Sequence, residues 1–332
     1  MSPRRSLVLA AASALAVVVA TGTATASEQV PSDVTAMAIK QVAGGLKEAW
    51  AVDFLPDGTA LFTEKDSKKI RKIDKAGKVS DVQTVPGVSV TKEAGLLGLA
   101  VSPKYAQDQT VFIYYTSGSD NRIAKLKLGE TPQPILTGIP RGAQYHQGGR
   151  IKFGPDGYLY AGTGDAKNSA NAQNKNSLGG KILRITADGK PAPGNPFGNA
   201  VYSYGHRNVQ GLTWVGDQLY SSEIGESTYD ELNKIDAGKN YGWPKCEGNC
   251  DVAGMTNPVK QWPTSSATPS GIAFYQGKLY MAALKGGTYK LDTNGSGGKI
   301  YTQLGRTRDE VAGPDGQLWV VTPSAIHTAD GN

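Results

Sequence analysis

Cysteine and histidine are scarce in this chain, two and three among 332 residues. Two thiols alone cannot build a closed all-cysteine zinc site. No Cys-x-x-Cys-His run occurs, which excludes a covalently attached c-type haem. Long apolar runs are missing as well. The run at residues 7–19 has 13 residues, too few to span a bilayer as a helix, and no later segment is better suited. Charge of one sign is not concentrated anywhere. Thirty-five basic residues against 29 acidic ones leave +6, and the basic residues are scattered. A nucleic-acid partner would require a clustered stripe. Long amphipathic helical patterns are also absent.

The first residues read as an export signal rather than structure. Arg4 and Arg5 precede the apolar run, and Ala24-Thr25-Ala26 supplies a small-x-small cleavage site. Residues 1–26 are therefore expected to be a secretory signal peptide using general secretion. Residues 27–332 are expected to be one domain of 306 residues (332 minus 26), at +4 (33 basic, 29 acidic). That length suffices for a single substantial core. The expected location is extracytoplasmic, where Cys246 and Cys250, four apart, would close a small disulfide loop.

Glycine and turn signals are abundant, with 42 Gly and 18 Pro, and they recur in an internal repeat. The unit is a short apolar strand, a tight turn, a second apolar strand and a basic-apolar outer strand. In one copy Trp50-Ala51-Val52-Asp53-Phe54, Pro56-Asp57-Gly58, Ala60-Leu61-Phe62 and Ile70-Arg71-Lys72-Ile73 follow in order. Copies begin near 50, 96, 149, 211, 271 and 310. Spacings of about 40 to 60 residues suit one four-stranded blade each. The expected fold is all-β: a six-bladed β-propeller of four-stranded antiparallel blades. Residues 36–41 are the candidate strand closing the ring with the last blade. Loops at one end of such a ring converge, so residues far apart in sequence can share a pocket.

Three features carry candidate chemistry. His146-Gln147-Gly148-Gly149-Arg150 places a lone imidazole at the entry of a β-hairpin, with Asp165 closing the unit. It is either a surface histidine or a general base whose pKa lies near working pH. The acidic stretch Glu223-Ile224-Gly225-Glu226-Ser227-Thr228-Tyr229-Asp230-Glu231 offers hard oxygen ligands around a glycine. It is either a solvated loop or a Ca²⁺ site. Arg207, Lys285, Arg306 and Arg308 recur at blade ends, where together they could grip a polyanion.

With Tyr204-Gly205-His206-Arg207-Asn208-Val209-Gln210-Gly211-Leu212, the stretch from Glu223 to Pro244, the His146 motif, Glu93-Ala94-Gly95-Leu96-Leu97-Gly98 and Arg306-Thr307-Arg308-Asp309, the chain resembles the soluble PQQ-dependent glucose/sorbosone dehydrogenases. This family includes bacterial aldose sugar dehydrogenases, and the resemblance covers essentially all of the mature chain. It implies an exported PQQ- and Ca²⁺-dependent enzyme oxidising the C1 hydroxyl of an aldose to a lactone. His146 would be the base, Asp165 its orienting carboxylate, and Arg207 the group beside the reacting quinone oxygen. Glu93, Asn208, Lys285, Arg306 and Arg308 would contact the cofactor, and Trp262 would line the substrate side. Gly225 and Glu226 would give backbone carbonyls to Ca²⁺, with Asp230, Glu231 and Tyr241 as ligands or supports. Electrons would leave to a separate acceptor. Long loops of the best-known glucose enzyme, which carry its dimer contacts, have no counterpart, so a monomer with a more open site is expected. Ala170, Asn171 and Tyr145 also depart from that enzyme's residues. Other readings of the same residues are a non-catalytic sugar- or protein-binding propeller and a calcium-dependent lactonase-like hydrolase.

Overall fold

Residues 39–330 are described by the structure, a computed structural model; the expected signal segment lies outside them. Six separate four-stranded antiparallel sheets account for nearly all regular structure. Their innermost strands are Ala49–Phe54, Leu96–Val101, Gly148–Phe153, Val209–Val215, Pro269–Tyr275 and Asp309–Ala312. Each touches the innermost strand of the next sheet, and the last touches the first. The result is a six-bladed β-propeller, the architecture the repeat predicts.

The blades form because the first two strands of most repeats are largely apolar on both faces, as strands covered from both sides tend to be, while the innermost strands of the third and sixth blades also bury Arg150, Asp309 and Glu310. Leu96–Val101 and Val111–Thr116 of the second blade are buried along nearly their whole length. The core is accordingly a set of interfaces between neighbouring blades. Phe62 and Val52 of the first blade pack with Trp319 and Val321 of the sixth. Leu232 of the fourth packs with Met281 and Leu291 of the fifth.

Ring closure uses strand Ile39–Gly44, which pairs antiparallel with Ala325–Ala329 at the outer edge of the sixth blade. The closing strand thus ends three residues later than the sequence suggests; positions 36–38 lie outside the described residues. A second correction concerns the basic-apolar strands, which are the third strands. The outermost ones, such as Val201–Tyr204 and Gly297–Ile300, follow them.

Five of the six innermost strands carry a register shift at their first residues, including Ala49/Ala51, Gly148/Ile151 and Val209/Gly211. A bulge bends a strand and re-aims the residues beside it. All five lie at the same end of the ring, where the candidate residues enter.

Candidate active site

The centre is built from the third blade's inner hairpin. His146 immediately precedes the inner strand and Asp165 follows the second, so antiparallel pairing returns both to one end. His146 Nδ1 lies 2.6 Å from Asp165 Oδ1, and both side chains are buried. The His146 backbone is left-handed, φ 61°, a conformation costly for a residue with a Cβ. It is held by the His146 N–H donating to Glu93 Oε2 at 2.9 Å and by Ala166 N–H donating to the His146 carbonyl. Glycine is required opposite: a Cβ on Gly164 would lie 1.9 Å from that carbonyl oxygen.

Arg207, entering the fourth blade, donates from Nη2 to His146 Nε2 at 2.7 Å. A guanidinium has only donors, so Nε2 bears the lone pair and Nδ1 the proton, which points to Asp165. Burial pushes the Asp165 carboxyl up in pKa. Hydrogen bonds from His146, Trp243 Nε1 (2.8 Å) and the Lys167 N–H (2.8 Å) outweigh that and hold it below the usual value. The pair is therefore a carboxylate and a neutral imidazole whose free nitrogen faces the guanidinium.

Glu226 secures the other side of Arg207. Its Oε2 accepts from Arg207 Nε at 2.8 Å and from Nη2, and its Oε1 accepts from Lys167 Nζ at 3.0 Å. Burial raises the Glu226 pKa, but these cations bring it down to about 2. Asn208 links the second blade to the third. It donates to Glu93 Oε2 at 3.2 Å and accepts the Gly148 N–H at 2.9 Å.

Beside this centre opens a cavity of about 730 Å³ lined by Glu93, Gln210, Arg306, Arg308 and Lys65, among others. Arg308 is buried; burial, and then the charge of Arg306, lower its pKa to about 10. Its Nη1 donates to Gln210 Oε1 at 2.9 Å, while its buried Nε has no hydrogen-bond partner. The same wall carries three more cations, Lys65, Lys92 and Arg306, and three carboxylates, Glu48, Asp66 and Glu93. The under-satisfied buried guanidinium with Arg306 beside it fits a ligand bearing several carboxylates, which PQQ is. Lys285 is exposed and does not line this cavity, although its neighbour Leu284 does. Trp262 sits in the core between the fourth and fifth blades, its ring 5.2 Å from Tyr289.

The acidic stretch separates into distinct roles. Asp230 accepts the N–H of Gly225 at 3.0 Å and of Thr268 at 2.7 Å, so it shapes the turn. The Tyr241 hydroxyl donates to the Lys234 carbonyl at 2.7 Å and accepts from Asp236 N–H. Glu231 is buried, and burial together with the charge of Glu223 raises its pKa. A void of about 10 Å³ lies among Glu223, Gly225, Glu231 and Tyr241, roughly the room one water or small ion needs. Each oxygen of these two buried carboxylates already has a hydrogen-bond partner in the protein. Among the described residues, no three His, Cys, Asp or Glu side chains are grouped to hold a metal. Calcium here would have to draw on backbone carbonyls as well, as hard-cation sites commonly do.

Several contributors carried no assigned role at the sequence level: Lys167, Trp243, Glu247 and His206, the last of which pairs with Glu223 of the acidic stretch. His206 Nδ1 lies 2.8 Å from Glu223 Oε2, and its ring stacks 4.8 Å from Tyr241. Glu223 also accepts the Arg207 N–H. The only sequence signal was their adjacency to the motifs.

Fold and centre together define a propeller with a buried carboxylate–imidazole–guanidinium set beside a cavity walled in part by Arg306 and Arg308. Residues 46–327 match the family model described as Glucose / Sorbosone dehydrogenase, and the chain belongs to that family. An aldose sugar dehydrogenase of Escherichia coli is 31% identical over 327 residues, covering 83% of this chain and 87% of that protein. Quinoprotein glucose dehydrogenase B of Acinetobacter calcoaceticus is 29% identical, over 65% of this chain and 54% of that protein. The PQQ-bound structure of an aldose sugar dehydrogenase from Streptomyces coelicolor is 43% identical with a TM-score of 0.82, covering 88% of this chain and 97% of that one.

Proposed function

We propose that this protein is an exported, PQQ- and Ca²⁺-dependent aldose dehydrogenase that oxidises the C1 hydroxyl of a sugar to a lactone. The observation that carries it is the His146 tautomer: Nδ1–H on the Asp165 carboxylate and a lone pair on Nε2, beside a cavity walled in part by Arg306 and Arg308. The likeness to a PQQ-bound aldose sugar dehydrogenase supports the cofactor. The Cys246–Cys250 disulfide suits an oxidising compartment, and no described helix is long and apolar enough to cross a membrane.

In this reading Arg207 leaves His146 Nε2, and that nitrogen takes the proton of the C1 hydroxyl. Asp165 remains ionised and stabilises the resulting imidazolium, as carboxylates paired with a catalytic histidine do. Arg207 turns its N–H groups toward the oxygen that gains negative charge. Arg306 and Arg308 hold carboxylates of the cofactor, Glu93 and Asn208 keep the His146 loop in register, and Lys285 contributes charge at the rim. PQQ, when bound, supplies the quinone that accepts the hydride. Calcium would be held by the Gly225 and Glu226 carbonyls with Glu231 in support, and would supply positive charge to stabilise the developing negative charge. Electrons then pass to a separate acceptor.

The test is His146→Ala, loaded with PQQ and Ca²⁺ and assayed for sugar-dependent dye reduction. The reading expects the rate to fall by about 10³-fold or more while PQQ still binds. Full activity in this variant would sink the mechanism. Sugar lost without any dye reduction would indicate hydrolytic chemistry instead.

A further inference from the structure

The turn that carries Glu226 is exposed at residues 226–228, yet its side chain must keep Arg207 aligned with a buried imidazole. Glu247 supplies the hold. One oxygen of its carboxylate accepts three successive backbone N–H groups, those of Glu226, of Ser227 at 2.9 Å and of Thr228 at 3.1 Å. Convergent backbone N–H groups make an anion-binding concavity, and here the anion belongs to the chain itself.

Glu247 is in turn carried by a rigid support. It lies within the loop closed by the Cys246–Cys250 disulfide. Gly248 N–H donates to Glu231 Oε1 at 2.6 Å, Asn249 N–H to Gln261 Oε1 at 2.7 Å, and Cys250 N–H to Asn257 Oδ1 at 2.8 Å. Just before it, Trp243 donates to Asp165. One short segment therefore braces both arms of the centre: Trp243 on the Asp165 side and Glu247 on the Glu226–Arg207 side.

We propose that Glu247 is a positioning residue of the His146–Arg207 centre, acting through the 226–228 turn and Glu226. Its kinetic consequence rests on the dehydrogenase reading; its geometric consequence does not. Without the carboxylate, three N–H groups on an exposed turn turn to water, Glu226 wanders, and Arg207 no longer caps His146 Nε2 in one geometry.

Full-length Glu247→Ala and Glu247→Gln test this against wild type. In apoprotein, amide exchange at 226–228 and the rate of His146 modification by diethyl pyrocarbonate are read by peptide mass. Under saturating PQQ and Ca²⁺, kcat per bound PQQ and sugar KM are read by dye reduction. For Glu247→Ala we expect faster exchange at the turn, His146 modification at least about threefold faster, and kcat about tenfold lower with KM within about twofold, since small misplacements act on the chemical step. Glu247→Gln keeps an acceptor oxygen and should fall between. Wild-type kcat per bound PQQ together with wild-type His146 reactivity overturns the proposal, even if the turn exchanges faster. If Glu247→Ala does not fold, Glu247→Gln decides: intermediate shifts in the same directions support the proposal and none overturns it. If wild type takes up no PQQ, the dehydrogenase reading falls, and the two apoprotein measurements still decide the positioning role.

Discussion

At the scale of single residues, Asp165 does two jobs that one substitution separates. As a carboxylate it fixes the His146 tautomer, accepting Nδ1–H at 2.6 Å. Asp165→Asn keeps the shape but offers an N–H or a neutral oxygen, so we expect sugar oxidation to drop by about 10³–10⁴-fold with PQQ affinity retained. The same residue shapes acid stability. Its folded pKa lies below the ordinary 3.8, so its stabilising contribution is complete above that value and is lost as pH falls through the lower folded value. Wild type should therefore lose more thermal stability between pH 7 and pH 3 than Asp165→Asn does, as scanning calorimetry would show. Arg308 trades in the opposite sense. It is a buried cation with an unpartnered Nε, useful to an anionic ligand and unhelpful to the empty fold. Arg308→Met should weaken PQQ binding by about tenfold or more, while the apoprotein melting temperature holds or rises. A fall in both would mean that Arg308 is chiefly structural.

At the scale of elements, the segment from Asn168 to Gly180 has little regular structure beyond the turn of helix Ala170–Gln173. It is anchored by the buried Lys181. That ammonium donates to the carbonyls of Asn171 at 2.6 Å, Ala172 at 3.0 Å and Gly179 at 2.7 Å. Lys181→Met leaves three acceptors without their donor, a loss of about 3 kcal/mol or more in urea unfolding. Because Asn171 also donates to the Asp165 carbonyl at 3.0 Å, activity should fall with it. Element boundaries were legible where strands are buried on both faces. They were not legible for the outermost strands: Gly297–Ile300 is largely exposed and has almost no apolar pattern. Those strands form because an edge with free N–H and C=O groups lies ready, not because their own residues demand it.

At the scale of the whole molecule, the ring is closed by backbone pairing between Ile39–Gly44 and Ala325–Ala329 together with the apolar seam between the sixth and first blades. Removing residues 39–44 exposes the edge of the sixth blade and takes away Ala43, which packs in the seam between the sixth and first blades. We expect a melting temperature lower by more than about 10 °C and concentration-dependent association, measured by calorimetry and sedimentation. Across the axis, Arg150 of the third blade donates to Asp309 of the sixth at 2.6 Å, and its guanidinium lies 4.2 Å from the Trp50 ring. The repeat, by itself, determined the number of blades, since a period of apolar strand pairs at PDG-type turns has few other ways to bury both faces. That His146, Asp165, Arg207 and Glu93 would come together was legible too, because His146, Arg207 and Glu93 stand just before innermost strands and Asp165 just after the second strand of the His146 hairpin, all at one end of the ring. Tertiary structure alone decided which charges meet. Lys167 reaches Glu226 across 59 positions, and Glu247 gathers a turn some 20 residues away. Burial assigned Trp262 to the core and left Lys285 outside the cavity lining. Such choices depend on where six curved sheets bring their loops in space, and neighbours along the chain carry no record of that.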